Sequence, residues 1–314
     1  MFNFKEIEEF LAGHHDGWLF AEAKKQTVAR FGRSVHLFAI VELSSYCRRN
    51  CHYCGLRRAN AGRRYRMSRE EIVACARDAV EMGFETLVLQ AGEDSFFSAE
   101  DIAELIAEIR AASSVAITLC LGEQDRQTLA LWKGAGADRY LLKLESTNWQ
   151  LHNRYRPGCS FASRLQSLRH LQALGYETGS GCIVGLPSPD QDPLALLAAD
   201  IMFLSKLELH MITAGPFVPH PQTPLGKMAA GSLDLSHRCL ALLRLCNPRA
   251  HISATSALAS LLGPKVVDCQ REKALDHGCN VIMEAMPLPG VGRNYQIYPA
   301  KVRPPLPISV ASVV

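Results

Sequence analysis

The sequence predicts an α/β fold, a single closed (β/α)8 TIM-type barrel with an N-terminal helical lead-in. Three observations predict it. From about residue 36 onward, short β-type runs alternate with amphipathic helical runs. Eight such units fit into roughly 250 residues, the length such a barrel needs. The cysteine-rich and polar segments fall after the expected strand ends, where parallel α/β folds place their sites. Strands separated by helices cannot pair as hairpins, so the sheet must be parallel; the open doubly wound sheet is the rival architecture.

The elements follow in order. Residues 1–35 read as a helical extension. Strands are expected at Val35–Leu43, Glu85–Gln90, Val115–Leu119, Arg139–Leu144, Thr178–Val184, Leu209–Ala214, His251–Ala254 and Cys279–Met283. Helical patterns lie between them at Ser68–Met82, Ser98–Ala111, Arg126–Gly134, Phe161–Leu174, Pro193–Leu207 and Ser236–Cys246. Ser68 stands before Glu70 and Glu71, and Ser98 before Glu100 and Asp101, both helix-start signals. Gly83, Gly136 and Gly175 each sit where a helix should stop before a strand. With no low-complexity linker in between, residues 36–301 read as one domain and 302–314 as a poorly ordered tail.

The 314 residues are 48% hydrophobic and 21% charged, enough apolar material for a large core. Basic residues number 34 and acidic ones 31, a net charge of +3 that argues against nucleic acid as the partner. The most apolar long stretch, Leu194–Leu209, is broken by Asp200, Lys206 and Glu208, which argues against a membrane span. The opening MFNFKEIEEF is acidic where a secretory leader would be basic and apolar, so a cytoplasmic, reducing location is expected. In that setting eleven cysteines do not suggest disulfides, and most read as small core hydrophobes.

Three cysteines are different. After the first strand comes Glu42-Leu-Ser-Ser-Tyr-Cys47-Arg-Arg-Asn-Cys51-His-Tyr-Cys54-Gly55, a C-x3-C-x2-C spacing in an arginine-rich loop. Three thiolates held this closely converge on one metal centre, and neighbouring arginines offset their charge. A 4Fe–4S cube takes four ligands, so three cysteines leave one iron open to a non-protein ligand. The alternatives are zinc with His52 as a fourth ligand, or three unrelated thiols. Zinc sites usually draw on two separated ligand pairs, and no second pair follows.

CxxxCxxC after the first strand of an α/β barrel resembles the radical S-adenosylmethionine superfamily. The resemblance implies a 4Fe–4S cluster on Cys47, Cys51 and Cys54, with S-adenosylmethionine on the open iron, cleaved reductively to methionine and a 5′-deoxyadenosyl radical. Tyr53 takes the aromatic position near the adenine. Leu89-Gln-Ala-Gly-Glu-Asp94 is similar to the glycine–acid motif that receives the methionine amino group, implicating Gly92, Glu93 and Asp94. Glu145 corresponds to a carboxylate on the ribose hydroxyls, and Arg164 to an arginine on the methionine carboxylate.

Within the superfamily, SSYCRRNCHYCGLRRAN, LVLQAGED, TLCLGE, GADRYLLKLEST, GYETGSGCIVGLP, AGPFVPHPQTPL and NYQIYPAK resemble the group formed by HydE-type FeFe-hydrogenase maturases, methylornithine synthase and biotin synthase. By that resemblance Thr118, Cys182, Thr255, Ser256, Arg293 and Tyr295 line a substrate cavity, and His220 binds substrate or shapes a proline-rich turn. The chain departs from the HydE pattern in several places. Lys143-Leu-Glu-Ser146 stands for Arg-His-Glu-Thr, putting Leu144 where a cavity histidine is expected, and Cys182 stands for serine. The stretch from Met283 to Arg293 is one residue short, and a cysteine-bearing C-terminal extension is missing.

The implied activity is HydE-like, in assembly of the FeFe-hydrogenase active site on a small iron–carbonyl–cyanide unit carrying cysteine. A reductant such as a ferredoxin or flavodoxin, and other hydrogenase maturases, are the implied partners. The alternatives are a methylornithine-synthase-like mutase and a biotin-synthase-like sulfur inserter. The last needs a second cluster, for which Cys120, Cys159 and Cys182 offer a poor ligand set. A non-catalytic iron–sulfur scaffold is the alternative of another class, disfavoured because a carrier has no need of Glu145 or Arg164.

Overall fold

The computed structural model describes residues 2–261, 267–286 and 294–299. Eight parallel strands close into a barrel in chain order: β1 His36–Ser44, β2 Thr86–Ala91, β3 Ala116–Cys120, β4 Arg139–Leu141, β5 Glu177–Val184, β6 Met211–Pro216, β7 His251–Ala254 and β8 Val281–Ala285. Closure is made by β8 on β1, with His36 opposite Val281 and Ile40 opposite Ala285. The helices are α1 Phe4–Ala12, α2 Asp16–Phe31, α3 Arg69–Glu81, α4 Ala99–Ala112, α5 Arg126–Gly134, α6 Trp149–Tyr155, α7 Phe161–Ala173, α8 Pro193–Ser205, α9 Leu233–Cys246, α10 Ser256–Ser260 and α11 Val267–Asp276. No helix of the described residues is long and apolar enough to cross a membrane.

The helix starts follow the local chemistry read in the sequence. Ser68 accepts from the Glu71 amide while Glu71 accepts from that of Ser68, a reciprocal cap repeated by Ser98 and Asp101. Gly83, Gly136 and Gly175 all take positive φ at helix ends, as expected. Strand four is shorter than expected, ending at Leu141. Beyond it the chain leaves the regular ladder, and Glu145 adopts φ 67°, a left-handed conformation costly for a residue with a Cβ. The short helix α6 was not anticipated, and Arg293 and the 302–314 tail lie outside the described residues.

Strand alternation sorts side chains into two shells. Outward-facing ones such as Val41, Leu87, Leu119, Tyr140 and Ile212 join the helices in the main core. Inward-facing Phe38, Ile40, Val88, Leu141, Met211 and Val281 plug the barrel's middle. At the strands' amino-terminal end, fully buried Arg244 ties α9 to the β7 and β8 approaches. It donates to the carbonyls of Gly278 (2.8 Å) and Ala250 (2.7 Å) and to Asn280 Oδ1 (2.8 Å). The carboxyl end is left open to build a site.

Two expectations fail on this alternation. Cys182 was expected to face the barrel interior, but it is fully buried on the outer face of β5, its thiol against that of Cys239 on α9. Its neighbours explain why. Gly179 and Gly181 occupy the inward face, where a Cβ at Gly179 would lie 2.9 Å from Leu141 and Met211. Leu144, expected to replace a cavity histidine, is likewise buried in the outer core, because Lys143 and Glu145 on either side of it take the cavity face.

Candidate active site

The loop after β1 carries Cys47, Cys51 and Cys54, and the three thiols line one cavity of about 320 Å³ at the carboxyl mouth of the barrel. Backbone bonds fix the loop: Arg48 N to Glu93 O (2.8 Å), His52 N to Tyr155 O (2.9 Å) and Gly55 N to Ile297 O (2.6 Å). The loop after β2 presses against it. A Cβ on Gly92 would lie 2.2 Å from the Tyr46 carbonyl oxygen and 2.6 Å from Cys47 Cβ, so only glycine permits this approach.

Burial raises all three thiols above their ordinary range, Cys51 to about 11 despite the opposing pull of Arg156. A buried thiol of this kind ionises when a metal takes the proton's place. Among the described residues, no three His, Cys, Asp or Glu side chains are grouped as around a single metal ion. Three thiols lining one cavity are the donor chemistry that a 4Fe–4S cluster takes, each cysteine on a different iron. His52 does not face the cavity; its ring packs 6.1 Å from that of Tyr155.

A dense charge network covers the next wall. Glu93 is buried between Arg49, which ion-pairs with it closely, and Arg48 (3.4 Å), with Arg164 at 4.0 Å. Arg164 donates through Nε to the Lys143 carbonyl (2.6 Å) and through Nη1 to Glu123 (3.0 Å). Glu123 also takes Arg156 Nη2 (3.3 Å) and Ser163 Oγ (3.3 Å). Burial pushes the Glu123 carboxyl up, but Arg164 and Arg156 outweigh it and hold the group ionised. Glu145 behaves the same way: burial opposes its charge, and Lys143 at 3.1 Å, with Arg156 and Arg164, restores it.

Deeper in, Gln90 Nε2 donates to Tyr295 Oη (3.1 Å), and Cys120, Thr213, Thr255, Ser256 and Tyr298 complete the polar lining. Leu141, Ile183, Phe217, Val218 and Met283 supply the apolar part. The three-thiol wall, Glu93, Glu145 and Arg164 of the charge network, and the deep polar end line a single space.

A model of the Radical SAM superfamily matches residues 41–199, the segment carrying all three thiols and the charge network. The chain belongs to the radical SAM superfamily. It is 44% identical over 272 residues to the FeFe-hydrogenase maturase subunit HydE of Thermotoga maritima, covering 86% of this chain and 76% of that protein. It is 26% identical over 271 residues to 3-methylornithine synthase of Methanosarcina acetivorans, covering 86% and 74%. Among solved structures, methylornithine synthase (PylB) superposes with a TM-score of 0.82 at 23% identity, over 94% of this chain and 86% of that one. The maturase HydG of Carboxydothermus hydrogenoformans gives 0.76 at 23%, over 90% and 67%. At that identity the superpositions speak for the fold. The protein is a radical SAM enzyme, and the superfamily works with a 4Fe–4S cluster and S-adenosylmethionine.

The radical SAM cavity brings together Cys47, Cys51, Tyr53, Cys54, Gly92, Glu93, Glu145, Arg164, Thr255, Ser256 and Tyr295 of the residues singled out in the sequence. Others lie elsewhere. Asp94, expected beside Glu93 as a cofactor acceptor, instead holds Arg66 (2.7 Å) and Ser44 Oγ (2.6 Å) outside the cavity. Thr118 faces the barrel interior, buried one step below the lining; Cys120, two residues on, is the side chain that reaches the cavity. His220 is buried and accepts the Gln222 amide through Nδ1 (3.2 Å), shaping its turn outside the cavity. Sequence reasoning missed Glu123, Arg156 and Lys143. Glu123 ends the quoted TLCLGE segment, and a carboxylate just past a strand end was the available signal.

Proposed function

We propose that this radical SAM enzyme acts as HydE-type maturases do, in building the active site of FeFe-hydrogenase. The reading rests on one observation: three thiols, the Glu93 and Glu145 carboxylates with Arg156 and Arg164, and a partly polar inner chamber share one cavity, in a chain 44% identical to HydE. Cys47, Cys51 and Cys54 would hold the 4Fe–4S cluster, and Glu93, Glu145 and Arg164 the S-adenosylmethionine. When bound, this pair supplies a reductive cleavage to methionine and a 5′-deoxyadenosyl radical.

The chain's own groups serve binding, orientation and exclusion of water. Arg164 presents a planar fork suited to a carboxylate, aimed by its bonds to Glu123 and the Lys143 carbonyl. Glu93 offers acceptors to an ammonium group. Glu145, kept ionised by Lys143, offers two acceptors to a pair of hydroxyls. Leu141, Ile183, Phe217 and Met283 keep the chamber apolar around the reacting atoms, suppressing side reactions with water. Gln90, Thr255, Ser256 and Tyr295 supply hydrogen bonds for a small polar substrate, consistent with an iron–carbonyl–cyanide unit carrying cysteine.

The test is anaerobic. Reconstituted protein should hold four irons per chain, by the cluster's stoichiometry, and the reduced cluster's paramagnetic resonance signal should change on adding S-adenosylmethionine, with 5′-deoxyadenosine formed. The enzyme should then replace HydE in activating apo-hydrogenase alongside the other maturases. Cofactor cleavage without activation, but with 3-methylornithine made from an amino acid, would move the protein to the mutase branch. Zinc in place of iron would overturn the assignment of the thiols.

A further inference from the structure

A second cleft, of about 190 Å³, opens on the outer side of the thiol loop, and three separate stretches of chain line it. Arg63 and Arg64 come from the loop after β1, His220 and Gln222 from the turn after β6, and Asn294 and Gln296 from the segment after β8. No carboxylate stands on its wall. Arg63 is exposed and has no ion-pair partner among the described residues. Arg64 is fixed by four carbonyls, those of Ser45 (2.6 Å), Leu56 (3.1 Å), Arg57 (2.8 Å) and Asn60 (3.2 Å), none of which cancels its charge. His220 is only 6% exposed. Its Nδ1 accepts the Gln222 amide (3.2 Å), which puts the ring proton on Nε2. That Nε2–H has no partner among the described residues, and the ring lines the cleft. Gly55 leaves room for this edge of the ring, because a Cβ there would lie 2.6 Å from Cδ2 and 2.9 Å from Nε2. Residues 287–293 and 300–314, on either side of the last stretch in the sequence, contain no aspartate or glutamate.

We propose that this cleft binds a tetrahedral oxyanion, the phosphate group of a small ligand, and thereby fastens the segment after β8 over the barrel mouth. A buried imidazole donor beside two guanidinium groups costs desolvation and repulsion, and an anion with several acceptor oxygens offsets both. The donors approach from three directions, which favours a tetrahedral ion over a carboxylate. Arg63 stands on one side, His220 Nε2 on a second, and the side-chain amides of Asn294 and Gln296 on a third. The link to the mouth lies in an alternation along the chain. Asn294 and Gln296 line the cleft, whereas Tyr295 and Ile297 line the radical SAM cavity. Gly55 N donates to the Ile297 carbonyl (2.6 Å), so this segment is already seated on the thiol loop. A ligand bridging Arg63 and His220 to Asn294 and Gln296 steadies Tyr295 and Ile297 over the cavity. The site uses neither cluster nor cofactor, so it stands apart from the function proposed above.

The probe is inorganic phosphate, with methyl phosphate as a monoester and acetate as a carboxylate, on iron-loaded protein without oxygen. Phosphate should shield Arg63 from phenylglyoxal, as read by peptide mass spectrometry. Arg58, exposed in the same loop but off the cleft wall, should stay open to the reagent. In equilibrium dialysis Arg63→Ala and His220→Phe should each weaken phosphate binding about fivefold or more, and Arg58→Ala by less than about twofold. Arg63 is exposed, so its variant keeps the test intact even where His220→Phe disturbs folding. Acetate should bind at least about tenfold more weakly than phosphate. Tighter binding of methyl phosphate would identify the source as a phosphorylated metabolite, and equal binding as free phosphate. With phosphate present, a small alkylating reagent should label Cys120 at least about twofold more slowly, because Tyr295 and Ile297 are held over the cavity it lines. Equal shielding of Arg58 and Arg63, unchanged affinity in Arg63→Ala, or acetate binding as tightly as phosphate would overturn the site. An unchanged Cys120 rate would overturn the fastening of the segment.

Discussion

At the scale of single residues, each group in the cavity has a separable job. Cys51→Ser removes one thiolate from the metal set, so iron retention should collapse while circular dichroism still reports a folded barrel. Arg164→Ala removes the fork held by Glu123 and the Lys143 carbonyl. It should keep its iron and lose at least about a hundredfold in cofactor cleavage, the cost typical of deleting an oriented charged contact. Normal cleavage in this variant would sink the role given to Arg164. The free cysteines offer an independent check on side-chain direction. With the metal in place, a small alkylating reagent should reach exposed Cys269 first and Cys120 in the cavity next. Cys182 and Cys239, buried against each other behind β5, should react last, and their labelling before Cys120 would refute the facing of β5 described here.

At the scale of elements, two loops are held by contacts that a single atom can upset. In Gly92→Ala the new methyl group meets the Tyr46 carbonyl oxygen at 2.2 Å and Cys47 Cβ at 2.6 Å. The thiol loop must shift, with an expected destabilisation of about 1–3 kcal/mol and a measurable loss of bound iron. The loop after β4 depends on Asp200 of α8, which accepts from Thr147 N (2.5 Å), Thr147 Oγ1 (2.7 Å) and Ser146 Oγ (3.5 Å), next to the left-handed Glu145. Burial raises the Asp200 carboxyl to about 6, against the opposing hydrogen bonds. Between about pH 4 and 6 the native state therefore binds a proton that the unfolded chain does not, and stability from this group is lost as pH rises through 6. Asp200→Asn should thus gain on the wild type by up to about 3 kcal/mol between pH 4 and 7, as read by denaturant unfolding at a series of pH values. A constant difference across that range would show that the group does not titrate there.

Across the whole molecule, stability and chemistry sit at opposite ends of the barrel. Arg244 is fully buried at the amino-terminal end, where its guanidinium satisfies carbonyls from several segments without any carboxylate, and burial lowers it to about 10. Arg244→Leu should cost about 3 kcal/mol or more by stranding those acceptors, measured as a shifted denaturation midpoint. Iron content and cofactor cleavage in the surviving folded protein should be unchanged, because the cavity lies at the carboxyl end. A matching loss of iron at temperatures where the variant remains folded would show that the two ends are coupled.

The sequence by itself determined the parts governed by short-range rules. Helix caps at Ser68 and Ser98, glycines at 83, 136 and 175, and the strand–helix period all act over a few residues, and together they specify the barrel. The C-x3-C-x2-C spacing is equally local, since one loop supplies every thiol. Tertiary structure decided what depends on which face of a strand a residue takes. Alternation has a period of two, so placing a strand's inner face one residue out sends every side chain to the wrong shell. That is how Cys182 and Leu144 were read into the cavity. The clues lay in the neighbours, the Gly179–Gly181 pair and the Lys143–Glu145 pair, whose spacing of two marks the inner face. The link from Glu123 to Arg156 and Arg164 joins the loop after β3, the end of α6 and the first turn of α7. No spacing within one segment encodes it, because its energy exists only once the barrel has closed and burial makes every unpaired charge costly.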